Sequence, residues 1–153
     1  ETADLVILGP GPGDPTDMTH PRMKKLQTSI AALRHRGKPL LGICLGHQAL
    51  AFSLGLPVTR QARSTQGLQR EVKVFGEVHR LGFYNSFSPV LPEGGMLNSA
   101  LKLDCDEDGR VIALQGDGLI GFQFHPESVM SESGYRLLYK AIRILQQFVP
   151  DIG

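Results

Sequence analysis

Gly42-Ile43-Cys44-Leu45-Gly46-His47-Gln48 is the stretch that decides how the rest of the chain is read. The apolar run Pro39-Leu40-Leu41 before it reads as the end of a buried strand. Ala49-Leu50-Ala51-Phe52-Ser53-Leu54 after it reads as a helix stopped by Gly55. Cys44 then falls at a strand-to-helix turn with a glycine two residues to each side, the pattern of a nucleophile elbow. Gly42 and Gly46 carry no Cβ to collide with the closely packed strand and helix. Free N–H groups and positive potential at the helix N-terminus are expected to lower the thiol pKa. A cysteine by itself is most often a buried small apolar residue. The G-x-C-x-G frame at this junction makes it a candidate nucleophile.

A thiol nucleophile needs a base, and the base needs a group to orient it. Of five histidines, His125 stands out, in Gly121-Phe122-Gln123-Phe124-His125-Pro126-Glu127-Ser128. Phe122 and Phe124 alternate as in a strand that ends near His125. Pro126 biases His125 toward extended backbone, and side chains at i and i+2 of an extended chain share a face. Glu127 can therefore lie against the imidazole, fix its tautomer and favour the imidazolium formed during reaction. Alone, H-x-E reads as two solvated residues at a strand end; with the elbow it completes a Cys-His-Glu set.

With 153 residues the chain is read as one domain, 1–153. Its 41% hydrophobic and 20% charged residues are values of a globular protein. A net charge of +1 gives no reason to expect nucleic acid or an anionic membrane as partner. No apolar run approaches the ~20 residues of a membrane span. Two cysteines are too few for a disulfide scaffold, and a reactive thiol must stay reduced, so the expected compartment is the cytoplasm. Cys105 reads as an ordinary strand residue.

Asp4-Leu5-Val6-Ile7-Leu8 is apolar without alternation, as in a central parallel strand. It opens into Gly9-Pro10-Gly11-Pro12-Gly13-Asp14-Pro15, a rigid non-helical loop at a strand's C-terminal end, where open α/β sheets bind ligands. No Gly-Lys-Ser/Thr follows, so it is not a phosphate loop. Residues 22–36 read as a helix on Met23, Leu26, Ile30 and Leu33, with Pro21 in its first turn and Gly37 at its C-terminal cap. His35 is expected to be solvated. From Pro57 to Gln115 the pattern has period two, with Val72, Val74 and Val78, then Leu101 and Leu103, then Val111, Ala113 and Gln115. It predicts short, partly antiparallel strands at the sheet margin. His79 is expected to be exposed. Asp104, Asp106, Glu107 and Asp108 read as a solvated hairpin turn, since their spacing is not that of a calcium loop. Residues 131–148 form the last predicted helix, with Leu137, Leu138, Ala141, Ile142, Leu145 and Phe148 as its apolar face and Arg136, Lys140 and Arg143 as a solvated basic stripe.

The elbow and the segment Gln123–Ser128 resemble the two signatures of class I, triad-type glutamine amidotransferases, and the Gly9–Pro15 loop resembles that of the branch serving chorismate-using synthases. The likeness covers nearly the whole chain. It implies a flavodoxin-like α/β fold, a mainly parallel open sheet flanked by helices. It implies Cys44, His125 and Glu127 as the triad and the backbone N–H groups of Leu45 and Gly11 as the oxyanion hole. Gly11, Pro12, Gly13, Gln48, Ser86 and Phe87 would line the site for L-glutamine, with no metal or organic cofactor. Where many relatives have Arg-Tyr-His-Ser-Leu, this chain has Phe83-Tyr84-Asn85-Ser86-Phe87, which leaves backbone contacts intact. The implied partner is a chorismate-using synthase domain or subunit, most like phenazine-type or fused anthranilate synthases. An aminobenzoate synthase partner, or a non-catalytic subunit that stabilises a synthase, are the alternatives. Relatives begin with a further strand and helix before the segment equivalent to Asp4–Leu8, so the chain is expected to be a fragment of a longer one.

Overall fold

A computed structural model describes residues 3–95 and 98–150; both ends of the expected domain, 1–2 and 151–153, lie outside the described residues. The chain runs β1 (Val6–Leu8), α1 (Pro21–His35), β2 (Leu40–Ile43), α2 (Leu45–Ser53), β3 (Val58–Arg60), β4 (Leu68–Val74) and β5 (Glu77–Phe83). It continues through β6 (Phe87–Pro89), β7 (Lys102–Cys105), β8 (Val111–Gly116), β9 (Leu119–Phe122) and α3 (Gly134–Gln146). The central sheet has the order β1-β2-β9-β8-β7, and β3–β6 and β4–β5 form two small antiparallel pairs. The α/β class stands, but the central sheet is mixed. β1, β2 and β9 are parallel neighbours, whereas β8 joins antiparallel to β9 and β7 antiparallel to β8.

Those three parallel strands position everything that follows. Leu8 pairs with Gly42, Gly42 with Gly121, and Ile43 with Phe122. The residues that follow each strand, the Gly-Pro loop, Cys44 and Gln123, therefore emerge side by side at one edge of the sheet, the edge at which parallel sheets bind ligands. β2 is buried along its whole length, as its unbroken apolar run demands. β1 departs from expectation: it lies at the sheet edge among the described residues, and Ile7 is exposed.

One core cluster joins Leu41, Ile43, Phe122, Phe124, Leu137 and Leu145 under α3; a second joins Ile30, Leu40, Ala49 and Leu50 under α1 and α2. Helix α1 ends as its sequence predicts: Gly37 has φ 65°, with Gly37 N donating to Arg34 O and Lys38 N to Leu33 O, a Schellman-type cap. α3 is shorter than the predicted 131–148. Residues 125–134 form successive turns, with Ser128 N bonded to His125 O, Ser131 N to Ser128 O and Gly134 N to Ser131 O.

The marginal strands bring three corrections. β8 is buried on both faces from Val111 to Leu114, because it is an inner strand rather than a margin. On β5, His79 is buried and Val78 exposed, the reverse of the expected alternation. In the β4–β5 register Val72 faces His79 and Val74 faces Glu77. The acidic turn is not uniformly solvated. The Asp106 side chain is 4% exposed and pairs with Arg70 at 2.8 Å and Arg110 at 3.9 Å, and Asp104 Oδ2 accepts from Phe75 N at 3.0 Å. That bond holds Phe75 at φ 51° in the β4–β5 turn, with its ring edge-on to Phe122. Among the described residues, no group of three or more His, Cys, Asp or Glu could hold a metal ion, and no helix is long and apolar enough to cross a membrane.

Candidate active site

Cys44 has φ 53° and ψ −103°, a conformation that L-residues rarely adopt. Two backbone bonds flank it: Cys44 N donates to Phe122 O at 2.8 Å, and Gln48 N to Cys44 O at 3.0 Å. The first ties the elbow to β9 and the second is the first bond of α2. The glycines are required as the sequence indicates. A Cβ on Gly42 would come within 2.6 Å of the Gly46 carbonyl, and one on Gly46 would strike the Leu8 carbonyl. The strained turn is thus a consequence of β1, β2 and α2 meeting without side chains between them.

His125 follows β9 by three residues and is anchored to β5 by His125 N donating to Gly82 O at 3.0 Å. Its Nδ1 lies 2.6 Å from Glu127 Oε1, so i and i+2 share a face as expected. The imidazole is 16% exposed and the carboxylate 53%. Cys44, His125 and Glu127 open onto one cavity of about 590 Å³. Every expected glutamine contact also lines it: Gly11, Pro12, Gly13, Gln48, Ser86 and Phe87. Leu45 is not among the lining residues: its side chain is buried under the Gly-Pro loop, where a Cβ on Gly11 would meet Leu45 Cδ2 at 3.2 Å, while its backbone N–H is directed at Cys44.

The thiol pKa corrects the expectation of a helix-lowered value. Burial pushes the Cys44 thiol up to about 11; the Leu45 N–H pulls it down, and the Glu127 carboxylate adds to the rise. A thiol with its pKa raised by burial stays protonated at neutral pH, so it needs a base at the moment of attack.

Several site residues were not legible beforehand. Gln123 is 1% exposed and its Nε2 lies 3.8 Å from Cys44 Sγ. Its Oε1 accepts at 3.2 Å from Nε2 of Gln48, a residue the sequence did indicate, which also donates to Phe87 O at 2.8 Å. Tyr84 stands edge-to-face on His125, ring centroids 5.0 Å apart, and its hydroxyl lies 3.0 Å from Ser128 Oγ. Ser131 Oγ donates to His125 O at 2.6 Å and accepts from Gly82 N at 3.0 Å. Asn85 donates from Nδ2 to Phe87 O at 2.8 Å. The only local signal for these was the polar Tyr84-Asn85-Ser86 run and the Ser128–Ser131 spacing; their partners are far off in the sequence.

The family model for class-I glutamine amidotransferases matches residues 1–144. This chain belongs to that family. It is 37% identical to the phenazine-specific anthranilate synthase of Pseudomonas chlororaphis, over 94% of this chain and 23% of that protein. It is 31% identical to aminodeoxychorismate synthase component 2 of Klebsiella aerogenes, over 87% of this chain and 72% of that one. The chain spans about a quarter of the length of the phenazine-specific relatives it matches. Among solved structures, a glutamine amidotransferase from Thermotoga maritima superposes with a TM-score of 0.68 at 23% identity, over 95% of this chain and 70% of that one. At that identity the likeness supports the fold alone.

Proposed function

We propose that this domain hydrolyses the side-chain amide of L-glutamine and supplies the ammonia to a chorismate-aminating synthase. The observation that carries the reading is the strained Cys44 opening onto the same cavity as a His125–Glu127 pair bonded at 2.6 Å. His125 takes the Cys44 proton as sulfur attacks the amide carbon. The oxyanion is held by the N–H groups of Leu45 and Gly11, each such donor being worth ~2.7–4 kcal/mol. The C–N bond then breaks, His125 returns the proton to the leaving nitrogen, and ammonia departs from a glutamyl thioester. Water attacks next; His125 takes its proton and gives it back to sulfur as glutamate leaves. Glu127 holds the imidazole orientation throughout. Gly11, Pro12, Gly13, Gln48, Ser86 and Phe87 bind the glutamine.

Thiol, imidazole, carboxylate and backbone N–H groups complete this chemistry, so we assign no metal or organic cofactor to the domain. A reducing compartment, the cytoplasm, suits two cysteines that are both free. The synthase assignment rests on the relatives' names. Similarity to phenazine-specific and component 2 anthranilate synthases favours anthranilate or 2-amino-2-desoxyisochorismate as the aminated product. The aminodeoxychorismate relative supports aminobenzoate synthesis as the second reading. A non-catalytic subunit would not need the three groups together on one cavity.

The test uses the complete synthase that contains or binds this domain. Cys44→Ala is expected to abolish glutamine-dependent amination of chorismate and leave amination by added ammonium salt intact. Loss of both activities would overturn the division of labour.

A further inference from the structure

Gln123 and Gln48 are side-chain amides buried in the floor of the site, 1% and 3% exposed. Burying an amide is costly unless its polar atoms are hydrogen-bonded, and Gln123 lies between two core phenylalanines, Phe122 and Phe124. Its backbone is fixed by Gln123 N donating to Ile112 O at 2.9 Å. The orientation of both amides follows from their partners. The Phe87 carbonyl can only accept, so Gln48 must present its NH₂ there, at 2.8 Å. The same NH₂ lies 3.2 Å from Gln123, which must answer with Oε1. Gln123 Nε2 is left to face Cys44 Sγ, at 3.8 Å. Flipping Gln123 would set donor against donor and its oxygen against the sulfur. The result is a directed chain from the Phe87 carbonyl on the cavity wall, through Gln48 and Gln123, to the nucleophile.

We propose that Gln123 is a further catalytic residue, its carboxamide N–H supporting the Cys44 thiolate as it forms, and that Gln48 is the positioning residue that aims it. This rests on the reading of Cys44 as the nucleophile. A neutral thiol is a weak acceptor and a thiolate a strong one, so the bond tightens as His125 removes the proton. Burial acts against the thiolate here, and beside the Leu45 N–H the Gln123 amide is the group placed to offset it.

The experiment follows the rate of Cys44 alkylation by iodoacetamide from neutral to alkaline pH, with peptide mapping and the ultraviolet absorbance of the thiolate. It compares the unsubstituted protein, Gln123→Met, which keeps the length without a donor, and Gln123→Glu, which keeps the shape and only accepts once ionised. Both substitutions are expected to move the profile to higher pH, Glu further than Met. Gln123→Met should slow alkylation at neutral pH about tenfold, the scale of one hydrogen bond to a charged group. In glutamine hydrolysis kcat should fall with KM nearly unchanged. A purely structural glutamine would lower the melting temperature and leave the profile of the folded protein in place, which would overturn the proposal. In the unsubstituted protein, NMR resonances of the Gln123 side-chain amide should move with the Cys44 titration; resonances that stay fixed through it would also overturn it, whether or not the variants fold. Failure of a glutamine-like diazo ketone to label Cys44 in the unsubstituted protein would remove the nucleophile itself. Labelling there, with unchanged pH profiles in both variants, would remove only the role of Gln123.

Discussion

The two halves of the site are held in place by different forces. The nucleophile half is part of the core: Cys44 is 5% exposed, packs with Leu41, Ile43, Phe122 and Phe124, and takes its φ of 53° because β1, β2 and α2 leave no other path. The base half lies near the surface. His125 and Glu127 are 16% and 53% exposed and are held by discrete contacts to Tyr84, Gly82 and Ser131. Packing fixes the atom that must not move, whereas hydrogen bonds fix the group that must gain and lose a proton. Substitutions in the first half should therefore cost stability along with activity, and those in the second should cost activity alone.

The largest expected effect tests the second half. His125→Ala and Glu127→Gln should lower kcat for glutamine hydrolysis by about 10²–10⁴-fold, the range of a positioned acid–base group. Unfolding midpoints should stay within experimental scatter, because both side chains reach solvent. A matched drop in stability would blur the contrast between the halves. Next comes Gly46→Ala, which drives a methyl group into the Leu8 carbonyl. It should destabilise the fold by about 3 kcal/mol or more in urea unfolding, since backbone rather than a side chain must yield.

The elbow was legible because its determinants are local: two glycines, an apolar run and a helical segment, all between Pro39 and Leu54. The His125–Glu127 pair was legible because a two-residue repeat in extended chain fixes a face. What could not be read depends on segments distant in sequence. Gln123 meets Cys44 across seventy-nine positions, and Ser131 meets Gly82 across forty-nine. His79 and Asp106 are buried by neighbours that only the fold supplies, and the thiol pKa is set by a desolvation that no motif encodes. The apolar run of β1 did not reveal its place either: it lies at the sheet edge among the described residues with Ile7 exposed, and a strand's residue types do not record which neighbours cover it.

His47 extends the contrast on the core side. It is fully buried in the first turn of α2, with Nε2 against Val111 O at 2.9 Å and Nδ1 without a hydrogen-bond partner among the described residues. Burial lowers its pKa from 6.5 to about 4. As pH falls through 6.5 the unfolded chain takes up a proton that the folded chain refuses. Stability present above 6.5 is therefore lost progressively down to about 4, by about 3 kcal/mol in all. Urea midpoints across that window should fall accordingly, and His47→Gln should flatten the slope. The smallest effect belongs to the base side. Tyr84→Phe keeps the ring on His125 and removes the hydroxyl bonded to Ser128, which should cost about 1 kcal/mol of transition-state stabilisation, a several-fold drop in kcat. Tyr84→Leu, which also removes the ring, should cost more in the same assay.

The mechanism stands or falls on Cys44 carrying the glutamyl group. Incubation with L-glutamine, rapid acid quenching and mass mapping of the Cys44 peptide tests it without reference to any synthase. The expected result is a glutamyl adduct on Cys44 in the unsubstituted protein, no adduct on Cys105, and neither adduct nor ammonia release in Cys44→Ala. Ammonia released from glutamine at an undiminished rate by Cys44→Ala would show that the amide is cleaved without this thiol.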